Sequence, residues 1–312
     1  MAYTNTDTNM TTSSGLSAGM QTYYNRELLR TFEPNLVHLQ FGDEHRMPPH
    51  SGLVMNMRKL IPLETNTKAL SEGDPGESVM LAETEVTVQL QQYGEYARCT
   101  DKLDLTHLDM DIMRRTKLFG DAGARSIDAV VREELAKCAN VIYAGGKASR
   151  AELTAADKLT SRELRKAVKT LKKNHAQTFG GYFVAIIGPD TMYDLQEDEA
   201  FVKVSQYQDK ENIYTGEVGR LFGVRLVETT EAKIFEGAGA SGADVASVIV
   251  LGQYAYGVTS LKGAKPRVIV KPAGSAGTAD PLDQISTVGW KMDGFGAKLL
   301  QPEYAVRIEC GF

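Results

Sequence analysis

Residues 1–85 place the strongest constraint on the fold, because they hold no segment able to close a core of its own. Met1 to Gly19 is rich in Thr, Ser, Asn and Gly. It leads to a short apolar-aromatic piece, Tyr23-Tyr24-Asn25-Arg26-Glu27-Leu28-Leu29-Arg30, that reads as one helix of a few turns. An arm of this composition buries too little apolar surface to offset the entropy of ordering it. Residues 41–85 then read as an extended excursion. Phe41-Gly42-Asp43 and Met47-Pro48-Pro49-His50-Ser51-Gly52 are turn chemistry, as is Leu70-Ser71-Glu72-Gly73-Asp74-Pro75-Gly76. Between them, Leu53–Arg58 and Lys59–Leu63 each suit a short strand. Two thin strands make a marginal hairpin when isolated, and a long loop inside a folded chain is usually functional. The expectation is that other copies of the chain complete this segment.

Past residue 83 the periods become regular. Val86, Val88 and Leu90 alternate with Thr87, Gln89 and Gln91, the signature of a half-buried strand, which runs into Tyr93-Gly94-Glu95-Tyr96-Ala97. Asp104 to Tyr143 reads as helix. Its stripe is Ile127, Val130, Val131, Leu135, Cys138 and Ile142, and Gly145-Gly146 closes it. Thr160-x-x-Glu163 has the form of a capping box, opening a helix with Leu164, Val168 and Leu171 on one face. Tyr182–Ile187 and Ser247–Leu251 are continuous apolar runs, as in strands covered on both faces. Gly-rich loops at 237–242 and 273–277 separate further strands, Val268–Val270 and Tyr304–Cys310. In the last of these Val306, Ile308 and Cys310 face one way, and Arg307 and Glu309 the other. Trp290 is expected in a core. The class is α+β or mixed α/β, with no internal repeat.

Composition narrows the function classes. A chain with 42% hydrophobic and 24% charged residues is neither wholly disordered nor fibrous. No stretch approaches the roughly 18–20 uninterrupted apolar residues of a membrane helix. The N-terminus lacks the basic start and apolar stretch of a secretory signal. A net charge of -5 argues against a surface devoted to gripping nucleic acid. Cys99, Cys138 and Cys310 form no C-x-x-C pair and are odd in number, which fits buried thiols in a reducing compartment and synthesis in a cytoplasm.

Motifs of chemistry fail on context. Gly15-Leu16-Ser17-Ala18-Gly19 matches G-x-S-x-G but has no strand before it, so no nucleophile elbow forms. Gly237-Ala238-Gly239-Ala240-Ser241-Gly242 matches G-x-G-x-x-G, yet Ala243–Leu251 reads as strand where a dinucleotide site needs a helix. His38, His45, His50, His107 and His175 show no zinc spacing. Asp101, Asp104, Asp109 and Asp111 lack the Gly and Glu of a calcium loop. Arg162, Arg165, Lys166, Lys169, Lys172 and Lys173 concentrate positive charge on one helix. Phosphate contact is one use of such a face; without interleaved aromatics, the wet side of an amphipathic helix is the plainer one. No catalytic, cofactor-binding or metal-ligating set assembles.

Three stretches point in one direction. They are Gly216-Glu217-Val218-Gly219 running on to Thr229, Thr278-Ala279-Asp280-Pro281-Leu282 running on to Gly289-Trp290-Lys291, and Leu70–Gly73 leading into the strand that ends at Tyr93-Gly94. Together they resemble the major capsid proteins of tailed bacteriophages, in the branch related to the N4-like phages. The resemblance implies the Hong Kong-type capsid fold, an α+β fold. Residues 1–40 would be an N-terminal arm, 41–85 the E-loop region and 86–146 the peripheral (P) domain with its long spine helix. Residues 147–262 would be the axial (A) domain, and 263–312 strands returning to the P domain.

The implied function is a shell. Copies form hexameric and pentameric capsomers that close an icosahedral capsid around the double-stranded DNA of a tailed phage. Neither an enzyme nor a cofactor is implied. Implied partners are other copies, a portal, a separate scaffolding protein (no scaffolding segment precedes the arm), an optional decoration protein and weakly held, non-specific DNA, with no membrane. The implied location is the virion capsid, after synthesis in the bacterial cytoplasm. Lys59 and Lys68 lie on the E-loop without a pattern that marks either for cross-linking. Two other readings stay open at this point: an encapsulin-like nanocompartment shell, and a nucleotide-binding enzyme using the 237–242 loop.

Overall fold

The computed structural model describes residues 36–48, 50–60, 78–102, 112–198, 220–261, 265–275 and 280–312, together with Leu28, Leu63, Thr67 and Ala69. Their elements are β1 (Asp43–Met47), β2 (Val54–Leu60), β3 (Glu83–Gln89), β4 (Gln91–Thr100), the helix α1 (Ile112–Leu135), β5 (Val141–Tyr143), α2 (Ser161–Lys173) and β6 (Phe183–Ile187). After these come α3 (Pro189–Glu197), β7 (Arg220–Leu221), β8 (Val224–Glu228), β9 (Ile234–Phe235), β10 (Val245–Leu251), β11 (Tyr256–Leu261), β12 (Arg267–Lys271), β13 (Ile285–Leu299) and β14 (Ala305–Gly311).

Three sheets form among the described residues. A seven-stranded sheet runs β5-β14-β10-β6-β8-β7, with β9 also on β10. A five-stranded sheet is organised on the long β13: β4 lies along one edge, β12 and β11 follow each other along the other, and β1 adds parallel to β11. The third is the β2–β3 hairpin.

The continuous apolar runs of β6 and β10 follow from cover on both faces. Phe183, Ala185 and Ile187, with Val248 and Val250, face a core built with Leu164, Ala167, Leu171, Met192 and Leu195 of α2 and α3. The alternate residues Val184, Ile186, Ile249 and Leu251 face a second core with Ile127, Val131 and Leu135 of α1. That second core also takes in Tyr256, Val258, Trp290, Met292 and Phe295 of the five-stranded sheet. One apolar stripe of α1 therefore serves both sheets.

Several sequence expectations change. The helix ends at Leu135, well before Tyr143. There Arg307 donates from its guanidinium to the Ala136 carbonyl, and Asn140 Nδ2 donates to Pro302 O at 2.9 Å. Val141–Tyr143 pairs instead as β5 with β14, since a short β-branched run next to an open strand edge gains more as a strand. The two short strands expected over 53–63 are one strand, whose partner is Glu83–Gln89, so the expected boundary at residues 85/86 cuts through β3. The segment 263–312 does not return as a unit. β12 and β13 join the five-stranded sheet, but β14, buried at every position, lies between β5 and β10 in the other. Conversely, β11 falls inside 147–262 yet pairs with β13.

The arm is also less incomplete than its composition suggests. Leu28 is helical and fully buried in the α1 core, and residues 43–47 form a strand of the body. At α2 the capping box is not reciprocal. The Thr160 hydroxyl bonds the Glu163 carboxylate, and the Ser161 N–H donates instead to Asp198 Oδ2 at 2.8 Å. The expected turn at Leu70–Gly76 and the stretch 103–111 lie outside the described residues, as does the rest of the 23–30 piece.

Trp290 is 3% exposed and belongs to the α1 core. Trp290→Ala is expected to cost about 3–5 kcal/mol, as for other buried aromatic truncations. A urea midpoint equal to that of the unmodified protein contradicts this placement.

Candidate assembly surface

The β2–β3 hairpin has a buried root and an exposed tip. Its strands pair antiparallel from Val54 opposite Gln89 to Leu60 opposite Glu83. At the root Met57, Val88 and Leu90 are buried. Two glycines of the body make room for them. A Cβ on Gly257 would lie 2.9 Å from Met57 Sδ, and one on Gly296 would lie 2.9 Å from Val88 Cγ1. Polar ties add register: Leu90 N–H donates to Leu53 O at 2.8 Å, and Thr87 Oγ1 to Asn56 Oδ1 at 3.1 Å. Lys59 Nζ reaches Glu303 Oε2 of the 302–304 turn at 2.8 Å.

Beyond that root the apolar side chains of the described residues are exposed. Val79, Met80 and Leu81 are 64%, 90% and 74% exposed and Leu63 is more than half exposed, as are Leu53 and Val54 at the root end. Scattered exposed apolar residues are ordinary; three in succession beside a projecting hairpin mark a contact surface.

The N-terminal segment is held by a buried polar node. Asp128 of α1, with no exposure, accepts the His38 backbone N–H at 2.7 Å and lies 2.6 Å from His38 Nδ1 through its other oxygen. The Tyr256 hydroxyl donates to the His38 carbonyl, and burial pushes that hydroxyl's pKa far up. Gly42 lets the chain pass close over β11, since a Cβ there would meet Val258 Cγ2 at 2.6 Å.

A second node lies on β14 of the seven-stranded sheet and reaches the residue just past α1 through the Arg307 bond to Ala136 O. Glu309, wholly buried, takes a two-point grip from Arg150 at 2.7 and 2.6 Å. Arg307 Nε approaches the same carboxylate at 2.8 Å without the alignment of a hydrogen bond. The Arg150 guanidinium lies 3.6 Å from the Phe235 ring centre. Removing one partner from such a set is expensive, because it leaves a buried charge uncompensated.

The sequence motifs scatter over this frame. Loop 237–242 precedes the strand β10 and spends its amides internally: Gly239 N–H on Ala243 O, Ala240 N–H on Leu153 O and Gly237 N–H on Asp244 Oδ1. It therefore offers no phosphate cradle ahead of a helix. His45 pairs with Asp43 on β1, while His50 and His175 occupy left-handed turn positions. Cys99, Cys138 and Cys310 are free and buried, and burial pushes the Cys310 thiol up to about 12. Among the described residues no group of His, Cys, Asp or Glu has the arrangement of a metal site, and no helix is long and apolar enough to cross a membrane. Gly15–Gly19, His107, Lys68 and Gly216–Gly219 lie outside the described residues. Neither buried node was found from the sequence, because His38 and Asp128 stand ninety residues apart with no local period linking them.

Two sheets sharing one long helix, with a hairpin thrown out from the body, make the Hong Kong-type capsid fold. The Ralstonia phage GP4 capsid superposes with a TM-score of 0.66 at 14% identity, over 100% of this chain and 97% of that one. Cyanophage P-SCSP1u gives 0.66 at 16% over 86% of each chain, and cyanophage Pam1 gives 0.65 at 16% over 100% and 98%. At these identities the likeness is one of fold alone. The family follows from the sequence itself: residues 83–308 match the phage capsid protein family, and the chain belongs to it. It is a phage major capsid protein, a structural part of the virion. No curated protein sequence matches it.

The Lys59 hydrogen bond holds the Glu303 carboxyl below its ordinary range, against a smaller upward push from burial. The folded state therefore gains from this pair above the ordinary glutamate pKa of about 4.3, and loses the gain as pH falls through the depressed value. Because Glu303 is 58% exposed, the gain is that of a surface pair, about 0.2–1 kcal/mol. Amide-exchange protection of β2 is expected to fall on acidification through that window, and to be lower and flat in Glu303→Gln. Equal protection in both proteins across the window contradicts the tie.

Proposed function

We propose that the chain assembles into hexameric and pentameric capsomers of an icosahedral shell around the double-stranded DNA of a tailed bacteriophage. The observation that carries this reading is the hairpin with its root buried at home and Val79, Met80 and Leu81 left in water. Each copy lays that tip on a neighbour. Apolar area buried there contributes on the order of 25 cal/mol per Å², less the cost of ordering the segment. Modest contacts repeated over a closed lattice allow reversible assembly and a strong final shell.

In this reading the β2–β3 hairpin is the E-loop, the five-stranded sheet with α1 is the P domain and the seven-stranded sheet with α2 and α3 is the A domain. The arm is the chain before His38, clamped at its root by Asp128. The protein acts as a structural part and not as an enzyme, with a portal and a separate scaffolding protein as partners. Placement in the branch related to the N4-like phages rests on the quoted stretches. One of them also has a local physical role: Asp280 accepts the Ile285 N–H at 2.7 Å at the start of β13, the strand that organises a whole sheet.

Electron microscopy of the full-length protein, with and without a scaffolding partner, tests the reading. Closed shells or capsomers are expected from the unmodified chain. The variant Val79→Asp/Met80→Asp/Leu81→Asp is expected to keep its urea midpoint and lose assembly. Normal shells from that variant refute the role of the tip.

A further inference from the structure

We infer that the outer face of α2 is a contact surface for the phosphate backbone of duplex DNA. Only the source of that DNA, the packaged genome, rests on the capsid reading above.

The apolar side of α2 is spent in the core beneath the seven-stranded sheet. Its other side exposes Arg162, Arg165, Lys169, Lys172 and Lys173 along about 17 Å of helix axis. Arg162, Lys169, Lys172 and Lys173 have no ion-pair partner among the described residues. The carboxylates near the start of α2 are already engaged. Lys158 lies 2.7 Å from Asp194 and 3.5 Å from Glu197, and Asp198 takes the Ser161 N–H. Glu163 is buried and pairs with Lys166 at 3.6 Å.

Local stability accounts for only part of this face: Lys172 and Lys173 stand in the last turn, where the helix macrodipole favours positive charge. Arg162 stands in the first turn, where the helix macrodipole disfavours positive charge. The other basic face described, on the outer side of β12 and β13, is partly neutralised: Asp293 holds Lys291 at 3.1 Å and Arg267 at 3.3 Å.

The chemistry of the face selects its partner. Phe222 lies half-buried, its ring centre 5.0 Å from the Arg165 guanidinium. No large apolar side chain stands exposed among these cations to anchor a protein, and lysine, unlike arginine, is depleted from protein interfaces. Lysine is a hydrated point charge on a flexible stem, which suits a polyanion held without fixed register. A few such contacts per copy, on a chain of net charge -5, attract DNA without gluing it to the wall.

The test uses the full-length protein before assembly and a random-sequence 30-base-pair duplex, with binding read by fluorescence anisotropy over about 50–200 mM salt. In Arg162→Gln/Lys169→Gln/Lys172→Gln/Lys173→Gln the slope of log K against log salt is expected to shrink by about 3–4, at about 0.9 per lost phosphate contact. The smaller variant Lys172→Gln/Lys173→Gln is expected to shrink it by about 2, while Arg267→Gln/Lys271→Gln leaves it unchanged. Affinity and slope in the fourfold variant equal to those of the unmodified chain overturn the proposal. So does a fourfold variant that binds DNA normally but no longer forms shells, which makes the face a contact between copies. An unmodified chain that binds DNA with the expected slopes yet never assembles keeps the α2 assignment and sinks the capsid reading instead.

Discussion

Burial at the root of the hairpin, where Met57, Val88 and Leu90 press on Gly257 and Gly296, is the contact on which the assembly surface depends. A free two-stranded ribbon would be marginal and would present its apolar tip in no defined direction. Seated on β11 and β13, the same ribbon becomes a projecting part of a rigid body. The absence of a side chain at the two glycines is what permits that approach, so small residues in the body set where a distant apolar tip stands. The entropic cost of ordering the hairpin is thus met largely within the subunit, which leaves more of the tip's burial to favour association.

The body that carries the hairpin is unified by α1. Its apolar stripe touches both the seven-stranded sheet and β13, and polar nodes secure its two flanks. Asp128 captures His38 from the N-terminal side, while Arg307 closes the far end at the Ala136 carbonyl and shares Glu309 with Arg150. Buried charges of this kind add little net stability over apolar substitutes, but they penalise any other arrangement of the groups they join. For a shell subunit, a fixed relation between the two sheets matters as much as stability, because small angular errors accumulate around a closed lattice.

Much of the fold was legible from local period. The alternation from Val86 to Leu90, the apolar runs at 182–187 and 247–251 and the stripe Ile127-Val131-Leu135 all announced their elements, because side-chain pattern reports which faces are buried. The errors arose where a neighbour distant in sequence decided the outcome. Ile142 kept the helical spacing of α1, but β14 offered a strand edge and Arg307 occupied the helix end, so the chain left the helix. The exposed apolar tip was foreshadowed by the thin content of residues 41–85, whereas its partner strand was not, since pairing across the span from Leu60 to Glu83 leaves no local trace.

The sequence by itself determined most of the element types, the two-faced cover of the central strands and, through its quoted stretches, the capsid family. Each of these follows from residue identity or spacing within a few turns of chain. Tertiary structure alone decided that His38 meets Asp128, that β14 joins the second sheet, and that residues 36–47 belong to the body while Val79–Leu81 stay outside it. These outcomes depend on which surfaces come within a few ångströms after folding, and close packing makes that a property of the whole chain.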